Sequence, residues 1–227
     1  MTVSIHQPNY LPWLGFFDKI AKSDIFVIFD DVQFPRGKNH FGHRNLIKTN
    51  SGSKWLTVPL LNKSDFKKFN EIEINYNGWN VEQLRLIDVF YKNTQYYTDY
   101  CYDLKELLHV KYNSLSAMNT ELIKYFMKCL NINTQIIYSS EICPENIFGS
   151  NKILHILKAL SATTYITGSG PGSMRYIKED DFKENNINLI WQHYNHPSYT
   201  QQFNEFVPYM SIIDLLFNEG QNSKNII

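Results

Sequence analysis

The stretch SIHQPNYLPWLGFFDKIAKSDIFVIFDDVQF, Ser4 to Phe34, decides how the chain is read. Thr2 to His6 alternates β-branched or apolar residues with polar ones, and Gln7-Pro8-Asn9-Tyr10 breaks that strand. An amphipathic run from Leu11 to Lys22 predicts a helix, which Ser23-Asp24 closes. Ile25 to Phe29 is then continuously apolar and ends in Asp30-Asp31, the pattern of a strand covered on both faces of a parallel sheet. The opening therefore predicts a β-α-β unit.

Working outward, a loop rich in Gly, Asn and His over 35–45 leads to strand candidates at 55–60 (WLTVPL) and 71–74 (EIEI). Between Trp79 and Asn131 apolar residues recur at helical spacing, for example Leu84, Ile87 and Phe90, then Leu104, Leu107 and Leu108. A strand at 134–139, a helix at 151–160, a strand at 164–167 and a strand at 188–192 restore the α/β alternation. A polar aromatic loop over 193–205, a short apolar helix over 210–218 and a disordered polar tail complete the reading. The expected architecture is α/β: a parallel-sheet, nucleotide-binding-like core over about 1–75 and 134–220, with a helical subdomain over about 79–131 inserted into one domain.

Composition narrows the function classes. Lys plus Arg number 22 and Asp plus Glu number 22 in 227 residues, so no net field favours DNA or another polyanion. No apolar run is long enough for a membrane span, and no basic start with an apolar core marks a secretion signal, so a cytoplasmic protein is expected. Cys101, Cys129 and Cys143 are too few and too scattered for a disulfide framework or a four-thiolate zinc site, and are expected as buried free thiols. The 15 Tyr and 15 Phe fit a dense core or stacking walls for sugars and bases. Oligomeric state stays open, a homo-oligomer included.

In an open parallel sheet, ligands bind beyond the carboxyl ends of the strands. His6, Gln7 and Asn9 follow the first strand, Asp30 and Asp31 the second, and Gly168, Ser169 and Gly170 a later one, so adjacent strands would bring them to one crevice. The competing reading makes His6 and the aspartates local caps. One aspartate could hold Mg2+ or act as a base. Arg36, Lys38, Arg44 and Lys48 could clamp a pyrophosphate from one loop, or form a merely solvated basic loop. TGSGPGS, 167–173, offers backbone amides but neither the P-loop lysine nor the GxGxxG spacing. His196 and Tyr199 lie in WQHYNHPSYTQQF, where Pro197 argues against helical metal spacing with His193. Asp214 in SIIDLLF requires a partner if buried. Of the early aromatics, Trp13, Phe16 and Phe17 are expected in the core, and Tyr10 at the turn.

Four ordered stretches, IHQPNYLPWLGFFDKIAKSDIFVIFDDVQF, HRNLIKTNSGSKWLTVPL, YITGSGPGSMRYI and HPSYTQQFNEFVPYMSIIDLLFNEG, together resemble the WbqC-like family of bacterial proteins over nearly the whole chain. The resemblance implies a place in O-antigen, lipopolysaccharide or other surface-polysaccharide biosynthesis and a role as a glycine or amino-acid transferase to an amino sugar. Where that family commonly carries Asn-Arg-Asn, this chain has His43-Arg44-Asn45; Arg44, Asn45 and Lys48 match the pattern. A looser likeness, to the HIGH-type nucleotide-binding domains of class I aminoacyl-tRNA synthetases and pantothenate synthetase, implies ATP-dependent acyl activation, but Pro12 and Phe16 stand near the places of the two signature histidines.

The expectation is a transferase that joins an acyl or aminoacyl group, glycyl foremost, to the amine of a nucleotide-linked deoxyamino sugar. His6 or Asp31 is the expected base, with His196 as second choice. Gln7, Asn9, Tyr10, Asp30, Arg44, Asn45, Lys48, Gly168, Ser169, Gly170 and Tyr199 are the expected binding residues. ATP and Mg2+ enter only if the acid is activated in situ. The alternatives are a nucleotidyl- or adenylyl-transferase and a non-catalytic scaffold that binds nucleotide sugar.

Overall fold

The computed structural model describes residues 1–35, 37, 40–61, 66–203 and 205–227. Arg36 and Lys38, two cations of the expected clamp, lie outside the described residues. The elements run β1 (Thr2–His6), α1 (Leu14–Ala21), β2 (Ile25–Ile28), β3 (Arg44–Thr49), β4 (Gly52–Thr57), α2 (Trp79–Tyr91), α3 (Tyr97–His109), α4 (Leu115–Cys129), β5 (Gln135–Tyr138), α5 (Ser139–Ile142), α6 (Gly149–Ala159), β6 (Thr164–Gly168), α7 (Pro171–Tyr176), α8 (Glu179–Glu184), β7 (Asn188–Gln192), α9 (Ile212–Glu219) and α10 (Ser223–Ile226). They form two compact units.

The first unit, 1–7, 18–32 and 133–195, carries a five-stranded sheet in the order β5-β2-β1-β6-β7, with every pairing parallel. The expected β-α-β opening is present: Val3 pairs with Ile25 and His6 with Ile28. The chain steps from β1 to β2 in one direction and from β5 to β6 and β7 in the other. Right-handed crossovers then place α1 on one face and α6 and α8 on the opposite one.

Burial follows the two-residue period of the strands. Val3, Ile5, Ile25, Val27 and Tyr165 pack with Ile153, Ile156 and Leu157 of α6 and Phe182 of α8. Ser4 faces the other way, where Ser23, just past α1, donates its hydroxyl to Ser4 Oγ at 2.7 Å. By the same alternation His6 faces α1. That helix departs from the expected amphipathic pattern, because every residue from Leu14 to Ile20 is buried.

The second unit comprises 8–17, 33–132 and 196–227. Residues 33–75, assigned above to the α/β core, leave the parallel sheet. β3 and β4 form their own antiparallel hairpin, in which Thr49 pairs with Gly52 across a two-residue turn. The strand expected at 71–74 is instead a single 3-10 turn, Phe69–Glu71, with an isolated bridge between Leu60 and Ile74. The Ile72 carbonyl is taken by the Leu115 amide that opens α4, so no ladder extends there. Helices α2, α3 and α4 fill the expected helical middle, α4 capped by Ser114, whose hydroxyl accepts from the Ala117 amide at 3.2 Å.

The tail is ordered, against expectation: a 3-10 turn at Gly220–Asn222 leads into α10. Gly220 has a φ of 56°, and a Cβ there would lie 2.6 Å from the Tyr96 ring, so the turn admits only glycine. Of the three cysteines, Cys143 is buried, whereas Cys101 and Cys129 are only half-buried. No helix among the described residues is long and apolar enough to cross a membrane.

Candidate functional site

Because the five strands are parallel, their carboxyl ends line one edge of the first unit. Along it lie Ser139 after β5, Asp30 and Asp31 after β2, His6 and Gln7 at β1, Gly168 and Ser169 at β6, and Gln192 at β7. Strand order reverses between β1 and β6, which makes the crevice between His6 and Gly168 the topological switch point, where open α/β sheets place ligands.

His6 Nδ1 lies 2.8 Å from the Gln7 carbonyl oxygen. A carbonyl only accepts, so Nδ1 carries the hydrogen and Nε2 is the acceptor nitrogen. Burial, reinforced by the Lys19 charge and opposed by the Gln7 carbonyl, lowers the imidazole pKa to about 3. His6 is therefore neutral at physiological pH, and the same burial makes it a weak base in the free protein.

Lys19 went unnoticed in the sequence. It is only 2 % exposed, and burial alone lowers its amine pKa to about 7. Helix α1 starts beyond the carboxyl end of β1 and returns to its amino end, where Asp24 donates its amide to the Thr2 carbonyl. Helical side chains lean toward the helix N-terminus, which carries the Lys19 side chain back toward His6. Among the described residues, ion pairs in this unit join Lys22 to Asp18 and Lys152 to Asp31, whereas Lys19 Nζ has no ion pair or hydrogen-bond partner. Its one legible sign was Asp18-Lys19 standing as the only charged residues of an otherwise apolar helix, LGFFDKIA.

The two aspartates are committed to the frame. Asp30 Oδ1 accepts from the Ser140 amide at 3.1 Å and lies 3.0 Å from the Ser139 hydroxyl, whose single hydrogen it shares with Asp31, while Oδ2 accepts from the Ser140 hydroxyl at 2.7 Å. It fastens the end of β2 to the start of α5. Asp31 accepts from the Ser139 hydroxyl and forms an ion pair with Lys152 of α6, both side chains 4 % exposed. In this arrangement serine and lysine donors lie against the carboxylate oxygens of both residues. Among the described residues, no group of three or more His, Cys, Asp or Glu is arranged to hold a metal ion.

The glycine segment follows β6 as expected. Ser169 ties it to the neighbouring strand by donating its hydroxyl to the Gln192 carbonyl at 3.0 Å, and Pro171 occupies the first turn of α7, where its missing N–H costs nothing. Gly168, Gly170 and Gly172 have ordinary negative-φ or extended backbone. A Cβ at Gly170 or Gly172 would meet nothing within 4 Å. Neither strain nor internal packing requires glycine there, which leaves open space beside the switch point.

The remaining candidates belong to the second unit, and most are structural. Tyr10 is fully buried, its hydroxyl donating to Gln83 Oε1 at 2.8 Å, so it is a core residue and not a wall of the site. Asn45 is also fully buried; its amide donates to the Tyr10 and Leu11 carbonyls and its Oδ1 accepts from the Leu46 amide, holding the turn in which Leu11 has a φ of 43°. Asn9 is buried too.

Lys48 is 2 % exposed and donates its ammonium to the Glu205 carbonyl. Arg44 lays its guanidinium on the Trp55 ring, 3.6 Å from the centroid. His196 has both ring nitrogens engaged: Nδ1 with the Pro197 carbonyl at 2.8 Å, and Nε2 accepting from the Tyr209 amide at 3.1 Å. It also stacks on Trp13. Tyr199 donates to Asp214 Oδ2 at 2.7 Å, and Tyr91 and Gln201 complete the shell around that fully buried carboxylate.

With this geometry in place, comparison with known proteins fixes the lineage. The model of the WbqC-like protein family matches residues 7–226, from just after β1 to α10. The chain belongs to the WbqC-like family. It is also similar to the uncharacterized protein Rv1507c of Mycobacterium tuberculosis, 32 % identical over 229 residues that cover 99 % of this chain and 96 % of the relative. No solved structure matches the chain. Membership runs through both units, so the sheet with its switch-point crevice and the hairpin-and-helix unit are parts of one WbqC-like chain.

Proposed function

We propose that this WbqC-like protein is a transferase of bacterial surface-polysaccharide biosynthesis, which moves an aminoacyl or small acyl group, glycyl foremost, to the amine of a nucleotide-linked deoxyamino sugar. The observation that carries the reading is the switch-point crevice, which combines His6 at the end of β1 with an open glycine segment at the end of β6. Amide formation requires a neutral amine that loses a proton as its nitrogen attacks the acyl carbon, while the bond from that carbon to the donor breaks and the thiol, tRNA hydroxyl or AMP of the activated acid departs. His6 Nε2 is the acceptor for that proton. Gln7, Ser169 and the amides after Gly168 orient the sugar and its substituents, and Asp30 and Asp31 keep the ends of β2 and β5 in place beneath them.

A second reading, a non-catalytic scaffold that binds nucleotide sugar, draws support from the structural commitment of Asp31 and His196, two of the three candidate bases. Mass spectrometry separates the two. Purified protein is incubated with a nucleotide-linked 4-amino-4,6-dideoxyhexose, glycine and Mg-ATP, with ATP omitted in parallel and pyrophosphate release followed. A mass gain of one glycyl residue that requires His6 supports the transferase. A gain undiminished in His6→Gln removes His6 as base. Binding without any mass gain from free glycine, a glycyl thioester or glycyl-tRNA favours the scaffold.

A further inference from the structure

Lys19 is buried, has no counter-ion among the described residues, and stands close enough to His6 for its charge to act on that ring, so it is half of an ion pair. We propose that Lys19 is the anion-binding group of the switch-point crevice and that its missing partner is a phosphate of the bound ligand, in the first instance the diphosphate of a nucleotide-linked sugar. The identity of that ligand rests on the function proposed above; the anion subsite itself does not.

The geometry leaves few other partners. Asp18, the next residue on α1, gives Oδ1 to Lys22 at 2.6 Å and Oδ2 to the Gln192 side-chain amide at 2.7 Å. Asp30 and Asp31 at the end of β2 are occupied by Ser139, Ser140 and Lys152. His6 on β1 is neutral and cannot serve as a counter-ion, and Tyr194, beyond β7, is held protonated by burial and the Asp18 charge. A lone cation at this depth either gives up its proton or acquires an anion. The free protein takes the first course, with the Lys19 amine half-neutral near pH 7. An anion entering beside His6 and the glycine segment reverses it: the amine takes up a proton and pairs with the phosphate. That pairing also offsets the Lys19 charge that depresses His6, so the bound anion restores part of the imidazole's basicity.

Anion affinity then depends on the fraction of Lys19 that is protonated. With a free pKa of about 7, that fraction falls roughly 30-fold between pH 6 and pH 8.5. Sulfate is the first probe, because it exchanges no proton of its own in this range. Calorimetric titration of the full chain with sulfate, and in parallel with uridine diphosphate, is made at both pH values for the wild type and Lys19→Met. Sulfate should bind the wild type at pH 6, weaken by about that factor at pH 8.5, and fail to bind Lys19→Met. The wild-type pH dependence stands as a test even if the variant does not fold.

If sulfate behaves so and uridine diphosphate shows the same dependence, the ligand assignment gains with it. If sulfate behaves so while uridine diphosphate does not bind, the anion subsite stands and uridine nucleotides are removed as its ligand. Sulfate binding that persists unchanged in Lys19→Met or at pH 8.5, or no binding of either anion to the wild type, overturns the proposal.

Discussion

Replacing Lys152 by Met removes the cation paired with Asp31 and leaves a carboxylate that is 4 % exposed with, among the described residues, the Ser139 hydroxyl as its remaining donor. Breaking a buried pair from one side costs about 3–5 kcal/mol, because the stranded charge stays desolvated. Against a total stability of about 5–15 kcal/mol, that is a large fraction. With a urea dependence of about 2–3 kcal/mol per molar, the midpoint should fall by about 1–2 M. Urea titration followed by circular dichroism and tryptophan fluorescence, for which Trp191 on β7 reports the first unit, measures the loss.

Asp31→Asn combined with Lys152→Met deletes both charges and should recover most of that stability, to within about 1 kcal/mol of the wild type. If Lys152→Met costs less than about 1 kcal/mol, or if the double variant is as unstable as the single one, the ion pair is not the clamp described here. Transfer activity abolished in the stable double variant would return Asp31 to the list of bases.

Other outcomes follow from individual contacts. Tyr10→Phe strands Gln83 Oε1 in the core and should cost about 1–3 kcal/mol in urea unfolding, while leaving substrate affinity unchanged. Burial raises the Asp214 carboxyl above its ordinary value of 3.8, so the folded state binds more protons than the unfolded one just above that pH, and stability falls as pH rises through the window. The stability of the wild type relative to Asp214→Asn should therefore be greater at pH 4 than at pH 6, measured by urea unfolding at each pH. Lys19 has the opposite sign: a folded pKa of about 7 against 10.5 means the folded state binds fewer protons between those values. The melting temperature of the wild type should rise relative to Lys19→Met from pH 7 to pH 10.

What the sequence revealed and what it concealed divide along chain distance. The β-α-β opening is local, since alternation in Thr2–His6, a breaker at Gln7-Pro8 and an apolar run at Ile25–Ile28 suffice to read it. The glycine segment is legible for the same reason, as a breaker directly after Thr164–Gly168. The partners of Asp30 and Asp31 come from residues 108 to 121 positions away, beyond the long 33–132 segment, and no periodicity announces them.

The same separation hid the pairing of β2 with β5, although each strand was recognised alone. Polar residues such as Tyr10, Asn45 and Tyr199 look like ligands in sequence because their hydrogen-bonding groups are visible and their buried partners are not. Lys19 shows the converse: a lysine beside an aspartate in a short helix looks like solvated surface until neighbouring elements bury it on all sides.

The carboxyl edge of the parallel sheet is the proposed ligand site, and a crystal structure of the protein soaked with a nucleotide-linked 4-amino-4,6-dideoxyhexose tests it most directly. The prediction is density beyond β1 and β6, with a phosphate near Lys19 and the amino sugar within reach of His6 Nε2 and Ser169. Density held wholly by the β3–β4 hairpin or the helices α2 to α4, with the β1–β6 crevice empty, would contradict it.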